Sequence, residues 1–555
     1  MTYEVWGADQ SNTVSNAMTS GTKGGYLWIW DSTSIQEQLG GGPDAEPLGC
    51  LDNKTAGPCN LLDVFPQTLT DSVSGVVLGD LEGFGRLHGV IKDPQNKYVN
   101  ANFFAPGGGF VGIIDTDTKE AVALFRVTSF EYEYSSTKKV NRSVHMSFWT
   151  ADGLGIIISN LHGKAIERID ITRDSNGKIT GAVFNKSASV GLGSNMSVEA
   201  EASYFEGDNA FGRSLIGGTK GNYDDADLGD LTPNGLCKEN DCSASPTLIS
   251  QAGGRSNNVP ICPITTENDN IYVTLGGGGL LVLDSSSAPM KIVGEYGKNV
   301  VYGAGCGGVE VLGNQVFLNG GVSASGAGAT QSTFAVLSFD DTKYNRDGVN
   351  PENHPMPERI YQDKTNTRTI GNTEGGSETN ESGQIPGTTT RRDSHGMDVT
   401  IDGKYLHVVD RIQNIIETFD TKTFERDTYD LVSKDGKGGR EAPAGPCFAK
   451  SVLDSDGLTL NDPTPDLMEV TPDGKHIMVA FRGPAPISVA HAGQGSCPGV
   501  GIVEITEGGK SGKLVAVLRT TNRLDVSVIN TIVGGHDYDG VERSDVHGVI
   551  VITKH

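Results

Sequence analysis

The chain has 555 residues with 69 acidic against 44 basic side chains, a formal charge of -25, so neither nucleic acid nor an anionic membrane suits its surface as a partner. Only 36% of residues are hydrophobic, and no apolar run reaches the ~18–20 residues of a bilayer-crossing helix, which argues against membrane insertion by that route. The 75 glycines are about twice the usual share; with short blocks of Val, Ile, Tyr, Phe and Thr they point to many short strands joined by turns.

In chain order, the first elements are an orphan pair of strands, YEVWGADQSN and GGYLWIWD. A repeat unit then begins: an apolar strand, a turn carrying Asp-Gly-Lys or its equivalent, a second strand, a polar turn, and a third strand ending in Asp. Copies occur at 88–116 (HGVIKDPQNKYVNANFFAPGGGFVGIIDT), 145–170 (HMSFWTADGLGIIISNLHGKAIERID) and 259–284 (VPICPITTENDNIYVTLGGGGLLVLD). Others span 306–340, 395–420 (HGMDVTIDGKYLHVVDRIQNIIETFD) and 466–505. The last element, HGVIVITKH at 547–555, is an orphan first strand. Joined to the N-terminal pair it completes a seventh unit. A period of this length with split terminal strands predicts an all-β, seven-bladed β-propeller over 1–555, closed by its two ends so that no sheet edge is exposed.

The DGKYLHVVDR and DTKT elements resemble the YVTN or lactonase-like seven-bladed β-propeller family. That resemblance implies the architecture but no single activity, because such propellers include lactonases, quinoprotein and copper enzymes, and binding modules. Insertions at about 190–256, 345–393 and 434–464 interrupt the repeat and read as lids or decoration. The acidic run Asp224, Asp225, Asp227 and Asp230 lacks EF-hand spacing and reads as a solvated loop in preference to a calcium site. Eight cysteines, with Cys50/Cys59 and Cys237/Cys242 close in sequence, read as disulfides of a secreted or periplasmic protein.

Aligning the copies on the Asp-Gly turn puts one residue per unit at the start of the innermost strand, beside the central channel. These are His88, His145, Ile261 (with Cys262), Cys306, His395, Asp466 and His547. Four of the chain's 11 histidines therefore fall on seven equivalent positions. Neutral imidazoles converging in a confined space suit a transition metal, with copper or iron first and zinc or calcium as alternatives. Glycine follows three of them (Gly89, Gly396, Gly548), which allows a close approach to the ring. Cys262 and Cys306 on adjacent units are either a disulfide at the channel mouth or thiolate ligands. The ring is reminiscent of the histidine-lined propellers of nitrous oxide reductase and the carotenoid oxygenases, although the former's paired histidines and copper domain and the latter's outer acidic residues are not recognisable.

Three functions follow. The first is a copper- or iron-dependent oxidoreductase acting on a small molecule, with the metal on His88, His145, His395 and His547, and Asp466 as base or added ligand. The second is a metal-assisted hydrolase of lactonase type, in which Asp466 and a metal activate water; it requires Glu469 or Asp398 to face the channel too, yet both sit at positions expected within the strand. The third is an extracellular binding or scaffold propeller with structural histidines. His162, His407 and His476 read as surface or packing residues, and His536 as a loop residue near the same face.

Overall fold

The structure is a computed structural model. It describes residues 1–11, 24–50, 57–65, 85–104, 109–127, 143–161, 163–185, 187–192, 259–276, 278–297, 305–320, 334–346, 354–362, 393–411, 413–431, 445–450, 463–483, 495–522 and 542–554, with short pieces between them. His162, Cys237, Cys242, the acidic run at 224–230 and most of the three insertions lie outside the described residues.

Seven antiparallel sheets form the blades of a propeller, six of four strands and one, blade 2, with a fifth short strand, Val190–Gly191, paired to its third. Blade 1 is built from strands Arg86–Lys92, Tyr98–Phe104, Phe110–Asp115 and Ala121–Arg126. The innermost strands of blades 2 to 6 are Val144–Trp149, Pro260–Thr265, Gly308–Val311, Ser394–Val399 and Pro465–Val470. Blade 7 is composite: the C-terminal strand Val546–Lys554 is innermost and pairs with Thr2–Asp9, from Thr2↔Lys554 to Gly7↔Val549. The sequence predicts this closure, and it leaves no exposed edge on that sheet's inner side.

The turns follow from local chemistry. In blades 2, 5 and 6 the first hairpin carries Thr-x-Asp-Gly, where Thr150, Thr400 and Thr471 each donate to the Asp two residues on at 2.6 Å. The glycines adopt positive φ of 68°, 71° and 68° (Gly153, Gly403, Gly474), a conformation costly for any residue with a Cβ. Blades pack face to face through apolar side chains from both partners. Val409 and Ile416 of blade 5 meet Ile477 and Phe481 of blade 6, and Ile157 and Ile166 of blade 2 meet Ile271 and Leu281 of blade 3. All the innermost strands begin on one face of the wheel, here the entry face. The blade-to-blade connections arrive there, whereas the tight Asp-Gly turns lie on the opposite face.

Candidate hub site at the start of the innermost strands

Six of the seven innermost strands gain one residue over their partner at the ring position. The register slips between Leu87 and Gly89, Val144 and Ser147, Pro260 and Pro263, Ser394 and Met397, and Pro465 and Met468, and beside His547 in blade 7. Such β-bulges re-aim a side chain away from the regular alternation. They turn His88, His145, Cys262, His395, Asp466 and His547 toward the hub. The ladder groups that the bulges displace are taken up by polar residues of the second strands. Asn102 donates to the Gly89 carbonyl at 3.1 Å, Gln10 to the His88 carbonyl at 3.2 Å, and Thr274 accepts from Cys262 N–H at 3.1 Å. Asn319 donates to the His395 carbonyl.

The four predicted histidines are brought together, in succession round the hub. Ring centroids lie 5.6 Å apart for His395 and His547, 4.3 Å for His547 and His88, and 4.1 Å for His88 and His145. The four do not make one group with all ligand atoms within 4.8 Å. Among the described residues, ligand atoms within 4.8 Å of one another make two trios instead: His395, Asp466 and His547, and His145, Cys262 and Cys306. The second trio contains a disulfide, Cys262–Cys306, which decides between the two sequence alternatives for that pair. Cys50–Cys59 and Cys447–Cys497 are also bridged.

Asp466 is fully buried, and its Oδ1 lies 3.0 Å from His395 Nε2. Its Oδ2 accepts from Arg482 at 2.8 Å and from Arg411 at 3.4 Å, and lies 3.9 Å from His547 Nε2. Arg482 continues to Asp545 at 2.6 and 2.7 Å, and Arg411 to Asp393 at 2.8 Å. Blades 5, 6 and 7 are thus stitched by an Asp–Arg–Asp–Arg–Asp chain with no exposed member. Two guanidiniums on one oxygen hold the Asp466 side chain in place. Burial holds the pKa of His395, His547 and His88 well below the usual imidazole value. The nearby guanidiniums Arg411 and Arg482 reinforce this for the first two, and the neighbouring imidazoles His145 and His547 for His88. These shifts favour the neutral form of all three rings.

The glycines after the histidines do allow a close approach, but by the neighbouring strand. A Cβ on Gly396 would sit 2.3 Å from the Asp466 carbonyl oxygen, and one on Gly89 2.9 Å from Met146 Sδ.

No family model matches the chain, and no curated protein does. Among solved structures, a structural-genomics protein from Lactobacillus plantarum is similar, with TM-score 0.47, 11% identity and complete coverage of both chains. The periplasmic gluconolactonase of Pseudomonas aeruginosa gives 0.41 and 9%, over 94% of this chain and 98% of that one. The hydrazine synthase of Kuenenia stuttgartiensis gives 0.34 and 12%, over 75% and 76%. At such identities no residue role passes from those proteins to this chain.

Glu469 and Asp398 lie further along their innermost strands, toward the opposite face. Glu469 pairs with Lys92 and accepts from Val551 N–H at 3.1 Å, and Asp398 accepts from Val470 N–H at 2.7 Å. Burial, then the charge of Glu469, raises the Asp398 pKa to about 7. These two carboxylates do not join the imidazoles. His407 is a buried packing residue as predicted, bonded to Tyr429 at 3.0 Å and Gly509 at 2.9 Å. His536 lies in a two-residue strand that pairs His536 with Val533.

Sequence reasoning missed Arg411 and Arg482. The signal was present: DGKYLHVVDR and DGKHIMVAFR both end on Arg at the same offset from the turn Asp.

Proposed function

We propose that the chain is a small-molecule hydrolase of lactonase-like kind, working at the entry face of the hub with a divalent metal held by His395, His547 and Asp466. The observation that carries this is the trio itself: two neutral imidazoles and a carboxylate from three blades, with ligand atoms within 4.8 Å. The donor set fits a borderline transition ion such as zinc better than calcium or magnesium, which prefer all-oxygen ligands. Bound there, such an ion supplies Lewis acidity for attack of water on an ester carbonyl. The chain's own residues prepare the position. Arg411 and Arg482 fix Oδ2 of Asp466 and leave Oδ1 directed at His395, and the bulges aim both imidazoles at the same space. The copper or iron oxidoreductase needs four imidazoles round one ion, and the separation into two trios does not favour it. Three disulfides support a secreted or periplasmic setting.

The test is elemental analysis of untagged protein together with hydrolysis of a panel of sugar-acid lactones, for wild type, Asp466→Asn, and the double variant His395→Ala, His547→Ala. We expect bound metal and lactone hydrolysis in wild type, and loss of both in the double variant with retained circular dichroism. Equal metal content in wild type and double variant, or metal-loaded wild type inert on every lactone, would overturn the reading.

A further inference from the structure

The other half of the hub holds a hydrogen-bonded line that the hydrolase reading does not use. The Gln10 side-chain nitrogen is 3.2 Å from the His88 carbonyl oxygen and 3.1 Å from His88 Nδ1. A carbonyl oxygen only accepts, so this nitrogen is the donating amide and Nδ1 takes its second hydrogen. The His88 proton is therefore on Nε2, which faces His145 Nε2 at 3.1 Å. His145 accepts there, so its own proton is on Nδ1, and Nδ1 lies 3.7 Å from Cys262 Sγ. The line thus has a direction: Gln10 to His88 to His145 to a disulfide sulfur. Cys306 closes the trio with Cys262 and His145, all three ligand atoms lying within 4.8 Å. Cys306 keeps 8% exposure whereas Cys262 has none, and His145 is partly exposed.

We propose that His145, Cys262 and Cys306 form a thiol-dependent site that alternates between a disulfide and a bound soft metal ion of the zinc or copper(I) class. Reduction takes two electrons and two protons from a dithiol, which itself leaves as a disulfide. Its thiolate attacks the more accessible Cys306 Sγ, the S–S bond breaks, and Cys262 departs as a thiolate that accepts a hydrogen bond from His145 Nδ1–H until it takes a proton released by the reductant. The second thiol of the reductant then releases Cys306, and the two protons of the dithiol end on the two cysteine sulfurs, the imidazole staying neutral throughout. Both sulfurs are now thiols beside an imidazole, a Cys2His donor set that binds thiolate-seeking ions with release of the thiol protons. For His145 to ligate through Nδ1, its proton moves to Nε2, His88 turns from donor to acceptor, and the Gln10 carboxamide rotates to accept from His88 Nδ1. The reversal gives up the Gln10 hydrogen bond to the His88 carbonyl oxygen. The site uses none of the three residues assigned to the hydrolytic metal and stands whether or not that assignment holds.

The experiment treats the full chain with dithiothreitol under argon, removes reductant and metal, and titrates with cadmium while following the near-ultraviolet thiolate-to-metal absorption. Alkylation and peptide mass spectrometry in parallel show which cysteines were opened. We expect Cys262 and Cys306 to be alkylated with blade secondary structure retained. The cadmium band should appear in reduced but not oxidised wild type, and the contribution of this pair should vanish in the variant Cys262→Ser, Cys306→Ser. His145→Gln should keep the band and bind cadmium at least about tenfold more weakly. The proposal is overturned if Cys262 and Cys306 resist reduction while the fold persists, or if the double serine variant gives the same band as wild type. An unchanged affinity in His145→Gln removes the imidazole from the ligand set and overturns the Cys2His assignment.

Discussion

Blades 5, 6 and 7 and blades 2 and 3 build their share of the ring from the same bulged strand, yet what they place on it differs. The first arc carries His395, Asp466 and His547 on an interior ionic chain with Arg411 and Arg482. The second carries His145 beside a disulfide, with Met146, Cys262 and Ile264 in an apolar cluster. One backbone device therefore serves two chemistries, and the residues outside the ring decide which. Charges on blades 5 to 7 are stable in the interior only because each carboxylate meets a guanidinium; apolar packing joins blade 2 to blade 3, and the Cys262–Cys306 bond joins blade 3 to blade 4.

The comparison breaks most sharply if the ionic chain is cut. Arg482→Met leaves Asp545 and part of Asp466 uncompensated, and urea unfolding should show a loss of about 3–5 kcal/mol. A change under 1 kcal/mol would mean that the chain is dispensable to blade docking.

Acid sensitivity sharpens the picture, with His407 as a reference outside the hub. Burial lowers its pKa to about 4 in the fold, against about 6.5 when unfolded. Below pH 6.5 the unfolded chain therefore takes up the proton first, and stability that is complete above 6.5 is lost progressively down to about 4. The difference corresponds to about 3 kcal/mol. His407→Gln should flatten that limb in unfolding measured from pH 7 to pH 4. The slope that remains combines the hub imidazoles and His476, whose pKa values are also depressed, with buried carboxylates such as Asp398, whose raised pKa acts with the opposite sign.

The smallest effect concerns the glycines. Gly396→Ala drives a methyl into the Asp466 backbone and should cost about 1–3 kcal/mol. Gly548→Ala finds its nearest neighbours at 3.7 and 3.8 Å and should stay within about 0.5 kcal/mol. Equal melting temperatures for the two variants would contradict the close approach of blades 5 and 6.

Much of the architecture was legible because the repeat carries its own punctuation. The Asp-Gly turns and their equivalents mark where each unit starts, with Thr-x-Asp-Gly in blades 2, 5 and 6, and the orphan strand at 547–555 needs a partner that only the N-terminus supplies. The convergence of the histidines followed from the same alignment. Their division into two trios did not, because it depends on the bulges, and a one-residue slip between paired strands leaves no mark in a single strand's pattern. The ionic chain was hidden for a related reason. Arg411 and Arg482 follow apolar second strands, where a charged residue reads as the start of a solvated loop, and only the pairing with Asp393, Asp466 and Asp545 reveals that they point inward. The bond between Cys447 and Cys497 joins residues 50 apart in sequence, too far for spacing to suggest.

The bulges also bear on how such a wheel diversifies. Since each extra residue is absorbed within a few positions and normal pairing resumes directly after it, exchanging one hub side chain leaves the rest of its sheet in register. The centre of the molecule then behaves like a short word whose letters are set blade by blade, which lets neighbouring sectors acquire unrelated reactivity without rebuilding the frame that carries them.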